Sequence, residues 1–240
     1  MINMPNHIIN LISLKGDKQK IAEMLEAIKT DEFGIGSVDF EKVIPMPESL
    51  RIESGSKTDK GLRAYKDFIS VLTFDGANAD MDLLNIPEEK ESRFLSMRTD
   101  IKRDEWELGR QAFRNEKMYG EPTWYEWAIK NWGTKWNSYG YDYHNRNAVA
   151  ENPVLGFNTA WKAPHPIISK LAEMYPEVTF EHIWADEDIG QNCGKSTYEN
   201  GQCTGFFYPE GDAATVFALK AWGELDDEPT QTETMTDQNM

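Results

Sequence analysis

Four histidines are the side chains best suited to acid–base or metal chemistry in this chain. They are His7, His144, His165 and His182, and none has the spacing of a metal-binding motif. His182 alternates with apolar residues along a predicted strand, whereas Glu181 points to the opposite face, so the two do not form a dyad. We therefore predict no catalytic residue. An enzyme that uses His182 as a base in a cleft is kept as a third hypothesis for the function.

Acidic and glycine-rich stretches near the C-terminus are the other candidates for cofactor chemistry. Residues 186–188 are three successive acidic residues, but metal-binding loops alternate ligands with spacers and include a glycine at the sharp turn. We interpret the triplet as a solvated turn and predict no metal. The nearby glycines mark turns and bulges, because they lack the strand–loop–helix context of a phosphate-binding loop. We predict no cofactor.

A short segment, residues 121–137, holds half of the chain's eight tryptophans. These four are Trp124, Trp127, Trp132 and Trp136. On an α-helix the first three share one broad face, within about 80° of Trp124, so we expect that face to pack against a sheet. Trp136 follows Gly133, a predicted helix C-cap, and need not share the face. Trp136 is therefore the tryptophan best placed to contact a partner.

The loop after the tryptophans is rich in tyrosine, glycine and asparagine, a composition typical of binding loops. It is equally suited to fold back on the tryptophans as an ordered lid, and the sequence does not separate these two alternatives. If the segment binds a partner, the nearby lysine is placed to contact an anionic group. The candidate binding residues are Lys135, Trp136, Tyr139, Tyr141, Tyr143 and His144.

The hydrophobic patterns along the chain predict two β-α-β units. The first has a strand at 7–14, a helix at 18–29 and a strand at 38–44. The second has a strand at 154–161, a helix at 164–175 and a strand at 178–184, followed by a hairpin turn at 200–201 and a helix at 212–222. Two such units indicate the α+β class with a ferredoxin-like split β-α-β antiparallel sheet. Residues 48–150 are then a large helical insertion between strands 2 and 3, and the C-terminal hairpin extends the sheet.

Composition indicates one domain and a tail. We assign residues 1–223 to a single ferredoxin-like domain, and 224–240 to a disordered acidic tail because this stretch has six acidic residues and no Lys or Arg. Cys193 and Cys203 flank the predicted hairpin turn. In the register that this turn sets, Cys193 faces Tyr208, so the cysteines are not opposite each other and we expect free thiols.

The formal net charge of −16 is unevenly distributed. Residues 151–223 carry 4 basic and 10 acidic residues, whereas residues 48–150 carry 16 and 18. A field of this sign repels phosphates and argues against binding to duplex nucleic acid. No apolar run is long enough to span a bilayer and no signal peptide precedes the first strand, so we expect a cytoplasmic protein without a membrane partner.

Three segments carry a family resemblance. Residues 40–47, 124–137 and 157–161, the last followed by Pro164, resemble the signature segments of the YubB-like family. This family is found on phages and plasmids and has a ferredoxin-like domain. The resemblance implies that fold and an origin on a mobile genetic element. It implies no established activity and no catalytic residues.

The leading functional hypothesis is a non-enzymatic interaction protein of a phage or plasmid. It binds a host protein through the aromatic surface at 124–144 or through its acidic C-terminal face, and interference with host defence follows from the family context. The alternative hypothesis is a nucleotide or single-stranded nucleic-acid binding protein that stacks bases on an aromatic platform.

Overall fold

A five-stranded antiparallel sheet forms the centre of the protein, in a computed structural model that describes residues 6–74, 82–141 and 153–225. The strands are β1 (His7–Gly16), β2 (Val154–Ala160), β3 (Val178–Asp186), β4 (Gly194–Glu199) and β5 (Gln202–Phe207). Their order across the sheet is β2-β1-β3-β4-β5, and every neighbouring pair is antiparallel. The three inner strands, β1, β3 and β4, are therefore paired on both sides.

The helices lie between β1 and β2, between β2 and β3, and after β5. They are α1 (Lys18–Ile28), α2 (Phe40–Val43), α3 (Ser56–Leu72), α4 (Glu88–Ser96), α5 (Arg103–Tyr119), α6 (Trp124–Asn131), α7 (His165–Met174) and α8 (Asp212–Trp222), with a 3₁₀ turn at Glu48–Leu50. Within the described ranges, none of these helices combines the length and the apolar character needed to cross a bilayer.

The main core lies between one face of the sheet and helices α1, α6 and α7. Alternation along β1 directs Ile12 and Leu14 to this face, where they meet Phe157 of β2 and Phe180 of β3. All four side chains are buried. The opposite face is covered at one end by α8, whose Ala214 and other alanines allow the helix to approach β1 and β3 closely.

The predicted strand at 38–44 is wrong, because these residues form the short helix α2. Asp39 caps that helix by accepting a hydrogen bond from the Glu41 backbone N–H at 3.0 Å. Phe40 and Val43 are both buried, and their spacing of three fits a helical turn as well as a strand. The helical insertion consequently lies between the first and second strands of the sheet.

The sheet edge beside β2 is bridged by the loop after the tryptophans. The backbone N–H of Tyr139 donates to the Asn158 carbonyl at 3.1 Å, and the Asn158 N–H donates to the Tyr139 carbonyl at 2.7 Å. This single antiparallel bridge takes the place that a strand at 38–44 would have occupied in the predicted topology. The loop is thereby fixed to the sheet next to the tryptophan helix.

The C-terminal hairpin is confirmed. Asn200 and Gly201 form its turn with φ of 51° and 79°, the left-handed conformation that a tight hairpin requires. A bulge at Thr197 and Tyr198 shifts the register by one residue beyond the turn, so the predicted pairing of Cys193 with Tyr208 is wrong. The cysteines are nevertheless free thiols, as predicted.

Strand β5 is an exposed outer strand of the sheet. All six of its residues are exposed, and none of them is charged. Phe206 and Tyr208 stack on each other beside Trp184 on one face, with 5.9 Å between the first two ring centroids. Phe207 contacts Phe217 of α8 on the other face. This edge therefore presents aromatic side chains on both sides of a backbone that no further described strand pairs with.

The helical insertion has a core of its own, built on α3, α4 and α5. Tyr65, Phe68 and Trp106 form an aromatic cluster with ring centroids 5.0 to 5.6 Å apart. Where helices α3 and α5 cross, at Gly61 and Gly109, their backbones are in direct contact. A Cβ atom on Gly61 would lie 1.8 Å from the carbonyl oxygen of Glu105, so only glycine permits this crossing.

We expect Gly61→Ala to destabilise the protein by about 3 kcal/mol, because the added methyl group collides with rigid backbone. In an open helix the same change would raise stability by about 1 kcal/mol. A decrease in stability therefore indicates that the two helices are in close contact at this position. Gly205→Ala is the matched control, since nothing lies within 4 Å of its added Cβ. Thermal melts should show a Tm drop of roughly 6 to 12 °C for Gly61→Ala alone. An unchanged Tm would contradict the close crossing.

Candidate functional site

Helix α6 places the tryptophans, and both of its ends are specified locally. Thr123 caps its N-terminus by accepting a hydrogen bond from the Tyr125 N–H at 3.3 Å. Gly133 ends it with φ of 82°, and a Cβ there would lie 2.8 Å from Cδ of Pro166 in α7. The chain therefore turns sharply after Trp132, as the sequence predicts.

Of the three tryptophans predicted to pack on one face, Trp127 and Trp132 belong to the core, whereas Trp124 is only partly buried at its edge. Trp127 is 6% exposed and Trp132 is 3% exposed, and their rings meet edge to face with centroids 5.7 Å apart. The Trp132 indole N–H donates to the Ile44 carbonyl at 2.8 Å. This bond satisfies the polar atom of a buried ring and ties α6 to the segment that follows α2.

A cleft of about 660 Å³ opens beside these buried rings. Trp124 and Trp136 are half-buried and line it, together with an edge of Trp132. The remaining lining residues are Glu41, Met46, Arg51, Ile52, Glu53, Lys135 and Asn137. Its volume lies within the range of sites that accept one or two side chains or a small molecule. We call it the tryptophan cleft.

The carboxylates of the tryptophan cleft are engaged in internal bonds. Glu41 accepts hydrogen bonds from the Met46 N–H at 2.9 Å and from Arg51 Nη2 at 2.6 Å. Glu53 accepts from the backbone N–H and the hydroxyl of Thr58, at 3.2 and 2.5 Å, and thereby secures the first turn of α3. These bonds fix the wall of the cleft that faces the tryptophans.

Lys135 lies among three aromatic rings at the rim of the cleft. Its Nζ is 4.7 Å from the ring centroid of Trp136, 4.9 Å from that of Trp161 and 5.7 Å from that of Tyr125. These distances are those of cation–π interactions. We call this arrangement the lysine cage. Trp161 has φ of 65°, a left-handed conformation that is strained for a side chain of this size.

The predicted binding residues fall into different environments. Lys135 and Trp136 lie together at the cleft, whereas Tyr139 and Tyr141 pack back on the protein. Tyr141 is buried, and its hydroxyl donates to the Val38 carbonyl at 3.0 Å and pairs with Ser138. The structure thus favours the lid alternative for Tyr141, because a buried phenol offers no surface to a partner. Tyr143 and His144 lie outside the described residues.

Tyr139 is half-buried and joins the lid to β1. Its hydroxyl lies 2.7 Å from Nδ1 of His7 and donates to the Thr159 carbonyl at 3.3 Å. Burial and the charge of Glu187 raise the pKa of Tyr139 to about 12. A phenol held in this way acts as a fixed hydrogen-bonding group of the fold.

His182 is fully buried and does not line a cleft. Its Nε2 lies 3.0 Å from Oδ1 of Asn10, whose amide nitrogen donates to the hydroxyl of Thr159 at 2.9 Å. Because the amide oxygen can only accept, Nε2 carries the proton and Nδ1 does not. Nδ1 has no hydrogen-bond partner among the described residues. This buried network does not support the hypothesis of an enzyme that uses His182 as a base.

The predicted solvated turn at 186–188 is correct only in part, because Glu187 and Asp188 are exposed at a bend whereas Asp186 ends β3. Asp186 is buried and accepts hydrogen bonds from Asn6 Nδ2 at 3.1 Å and from the Asp188 N–H at 2.9 Å. Within residues 6–74, 82–141 and 153–225, no three His, Cys, Asp or Glu side chains are grouped closely enough to hold a metal ion. The carboxylate of Asp186 serves the local backbone.

Several residues of the site escape prediction from the sequence. Trp161 lies 26 positions after Lys135, and Tyr125 lies in the first turn of α6. Arg51 belongs to a segment that carries no binding motif. Only the tertiary fold brings Arg51 to the cleft and the rings of Tyr125 and Trp161 to Lys135. The Lys–Trp dipeptide at 135–136 is the one local signal, and it identifies the centre of the site.

The C-terminal part of this fold has known relatives. Residues 132–235 match the family model of the ferredoxin-like domain in Api92-like protein. The Api92-like match begins at Trp132 and includes Lys135, Trp136 and Trp161, whereas Glu41 and Arg51 lie outside it. This match and the antiparallel sheet with its helices confirm the predicted ferredoxin-like α+β fold.

Among solved structures, the chain is similar to the crystal structure of a protein api92 from Yersinia pseudotuberculosis. The alignment covers 87% of this chain and 99% of that chain, with 11% sequence identity and a TM-score of 0.40. No curated protein matches the chain in sequence. The family-model match thus supports the fold of residues 132–235, and the function rests on the site itself.

We expect the protein to lose stability as the pH falls below about 6.5, the ordinary pKa of histidine. Burial lowers the pKa of His165, and burial together with the neighbouring His165 lowers the pKa of His182 still further. Between the lowered pKa and 6.5, the unfolded chain binds more protons than the folded chain. Stability therefore decreases with falling pH, by up to about 1.4 kcal/mol per pH unit for His182.

Denaturant unfolding at pH 7.5, 6.5 and 5.5 measures this effect. His182→Gln keeps a side-chain donor for Asn10 but cannot be protonated, so its free energy of unfolding should fall less steeply over this range. Equal slopes for the two proteins would show that the buried histidine does not contribute.

Proposed function

We propose that the chain is a non-enzymatic interaction protein of a mobile genetic element, and that it binds a host protein in the cytoplasm. Residues 40–47, 124–137 and 157–161, which resemble the YubB-like family of phages and plasmids, support the mobile-element origin. The tryptophan cleft is the surface that we assign to the partner. The consequence that we expect for the cell is interference with host defence.

The observation that carries this proposal is the half-buried Trp136 at the rim of a preformed cleft. Tryptophan is among the residues that contribute most to protein–protein binding, above all when it lies in a pocket that excludes water. The wall opposite Trp136 is held by the hydrogen bonds of Glu41 and Glu53, so little ordering is needed when a partner binds.

The charges around the cleft favour a protein partner over a polyphosphate. Arg51 is already paired with Glu41, and its Nε also lies 3.2 Å from Glu48. Two carboxylates in the lining, those of Glu41 and Glu53, repel an incoming phosphate. Apolar and aromatic surfaces with a few fixed polar groups are typical of protein recognition sites.

The second candidate is a nucleotide or single-stranded nucleic-acid binding protein. One observation favours it: Lys135 lies beside the ring of Trp136, and a stacked base next to a lysine is a common arrangement in such proteins. Tryptophan fluorescence should then change on titration with nucleotides and short oligonucleotides at low salt. Unchanged fluorescence throughout the titration would eliminate this candidate.

We expect Trp136→Ala to weaken the binding of the host partner by about 30-fold, the effect of losing about 2 kcal/mol at a central interface residue. The partner is first captured from a lysate of the host bacterium and purified. Calorimetric titration then compares the wild type with Trp136→Ala. Met118→Ala is the matched control, because Met118 is 55% exposed on α5 and does not line the cleft.

Binding that Met118→Ala leaves intact and Trp136→Ala weakens by about 30-fold supports the cleft as the interface. If both variants bind the partner as tightly as the wild type does, the cleft is not the interface. The acidic C-terminal face, with 10 acidic and 4 basic residues in 151–223, is then the surface to test.

A further inference from the structure

We propose that the lysine cage receives an acidic group of the partner, while an apolar or aromatic side chain of the same partner segment fills the tryptophan cleft. This inference rests on the function proposed above and specifies the chemistry of the partner: an acidic peptide segment. The argument depends on Lys135, on the three rings that surround it and on the charges nearby.

Among the described residues, no carboxylate forms an ion pair with Lys135, and its ammonium group lies against three aromatic rings. The neighbouring cations differ from it. Lys130 is 2.7 Å from Glu121, and Arg51 is paired with Glu41 and Glu48. Lys135 therefore keeps its hydrogen-bonding capacity for an anion supplied from outside.

The aromatic rings hold the ammonium group in place. A lysine side chain in water samples many rotamers, and ordering it costs conformational entropy. Contacts with Trp136 and Trp161 within 5 Å supply that order before any partner arrives. A cation that is positioned in advance binds an anion with less loss of entropy.

The backbone at Trp161 is strained in a way that serves this cage. Its left-handed conformation, with φ of 65°, is unfavourable in a non-glycine residue because Cβ approaches the carbonyl oxygen that follows. Two hydrogen bonds maintain it: the Trp161 N–H donates to the Asn6 carbonyl at 2.9 Å, and Asn192 Nδ2 donates to the Trp161 carbonyl at 3.2 Å. The ring of Trp161 is thereby directed onto Lys135 from the end of β2.

A single carboxylate fits this site better than a phosphate does. The cage offers one uncompensated positive charge, and the adjacent cleft contains the carboxylates of Glu41 and Glu53, which repel a dianion about twice as strongly as a monoanion. Residues 48–150 carry 16 basic and 18 acidic residues, so this part of the chain does not repel an acidic segment as the C-terminal third does. The observations thus favour an Asp, a Glu or a terminal carboxylate next to an apolar side chain.

The test uses a pair of small probes that differ only in charge. N-acetyl-tryptophan has a carboxylate, and N-acetyl-tryptophan amide is its neutral counterpart. Both are titrated into the full-length protein at low salt. The shifts of the protein's own indole N–H resonances are followed by NMR. We expect the carboxylate probe to bind about tenfold more tightly than the amide, which corresponds to about 1.4 kcal/mol.

Variants of Lys135 decide whether that preference arises in the cage. Lys135→Gln should abolish the tenfold difference by weakening the carboxylate probe alone, and Lys135→Arg should retain it because the charge remains. Lys130→Gln is the matched control, since Lys130 is an exposed lysine of the same segment that is already paired with Glu121. Thermal melts of each variant establish that it is folded.

The outcomes separate this inference from the function on which it rests. Equal binding of the two probes, or a preference that survives in Lys135→Gln, overturns the acidic-segment inference. If the purified host partner loses affinity in Trp136→Ala but not in Lys135→Gln, the inference fails and the proposed function stands. If adenosine monophosphate binds more tightly than either probe, the ligand is a nucleotide and both proposals fail.

Discussion

The burial of Trp132 is the interaction on which the rest of the site depends. Its ring meets Phe40 and Trp127 edge to face, and its indole N–H bonds to the Ile44 carbonyl. One side chain therefore joins α6, α2 and the loop that follows α2. Since Trp132 points inward at the last turn of α6, the chain must reverse at Gly133, and the residues after it emerge at the surface beside the cleft.

Elements whose apolar residues follow one clear spacing could be predicted from the sequence. The main error arose where the apolar residues fit both the helical and the strand spacing. The strand β1, the helix α7 and the hairpin at Asn200 combine clear alternation or helical spacing with matching turn residues. Residues 38–44 contain apolar side chains that satisfy both periods. Asp39 favours the helix because it acts as the N-cap. Asn137 supports the same helix start, since its Oδ1 accepts the Phe40 N–H at 2.9 Å, and this contact between distant residues could not be predicted from the sequence.

The candidate site could be predicted at its centre but not in its surroundings. Helical geometry separates Trp136 from the packing face, and this prediction requires no knowledge of the tertiary structure. Trp161 enters the cage through an unusual φ, and Arg51 reaches the cleft through its pairing with Glu41. Neither property can be predicted from the local amino-acid composition. The position of Tyr141 was open for a similar reason, since its burial depends on a hydrogen bond to the distant Val38.

The acidity of the chain also affects association between molecules through the exposed edge of the sheet. On its outer side, strand β5 pairs with no further described strand. It has no charged side chain, and three consecutive aromatic residues, 206–208, lie at its end. These features promote the joining of sheets from separate molecules. The net charge of −16 opposes such encounters by mutual repulsion. We expect this repulsion to weaken as dissolved salt screens the charges.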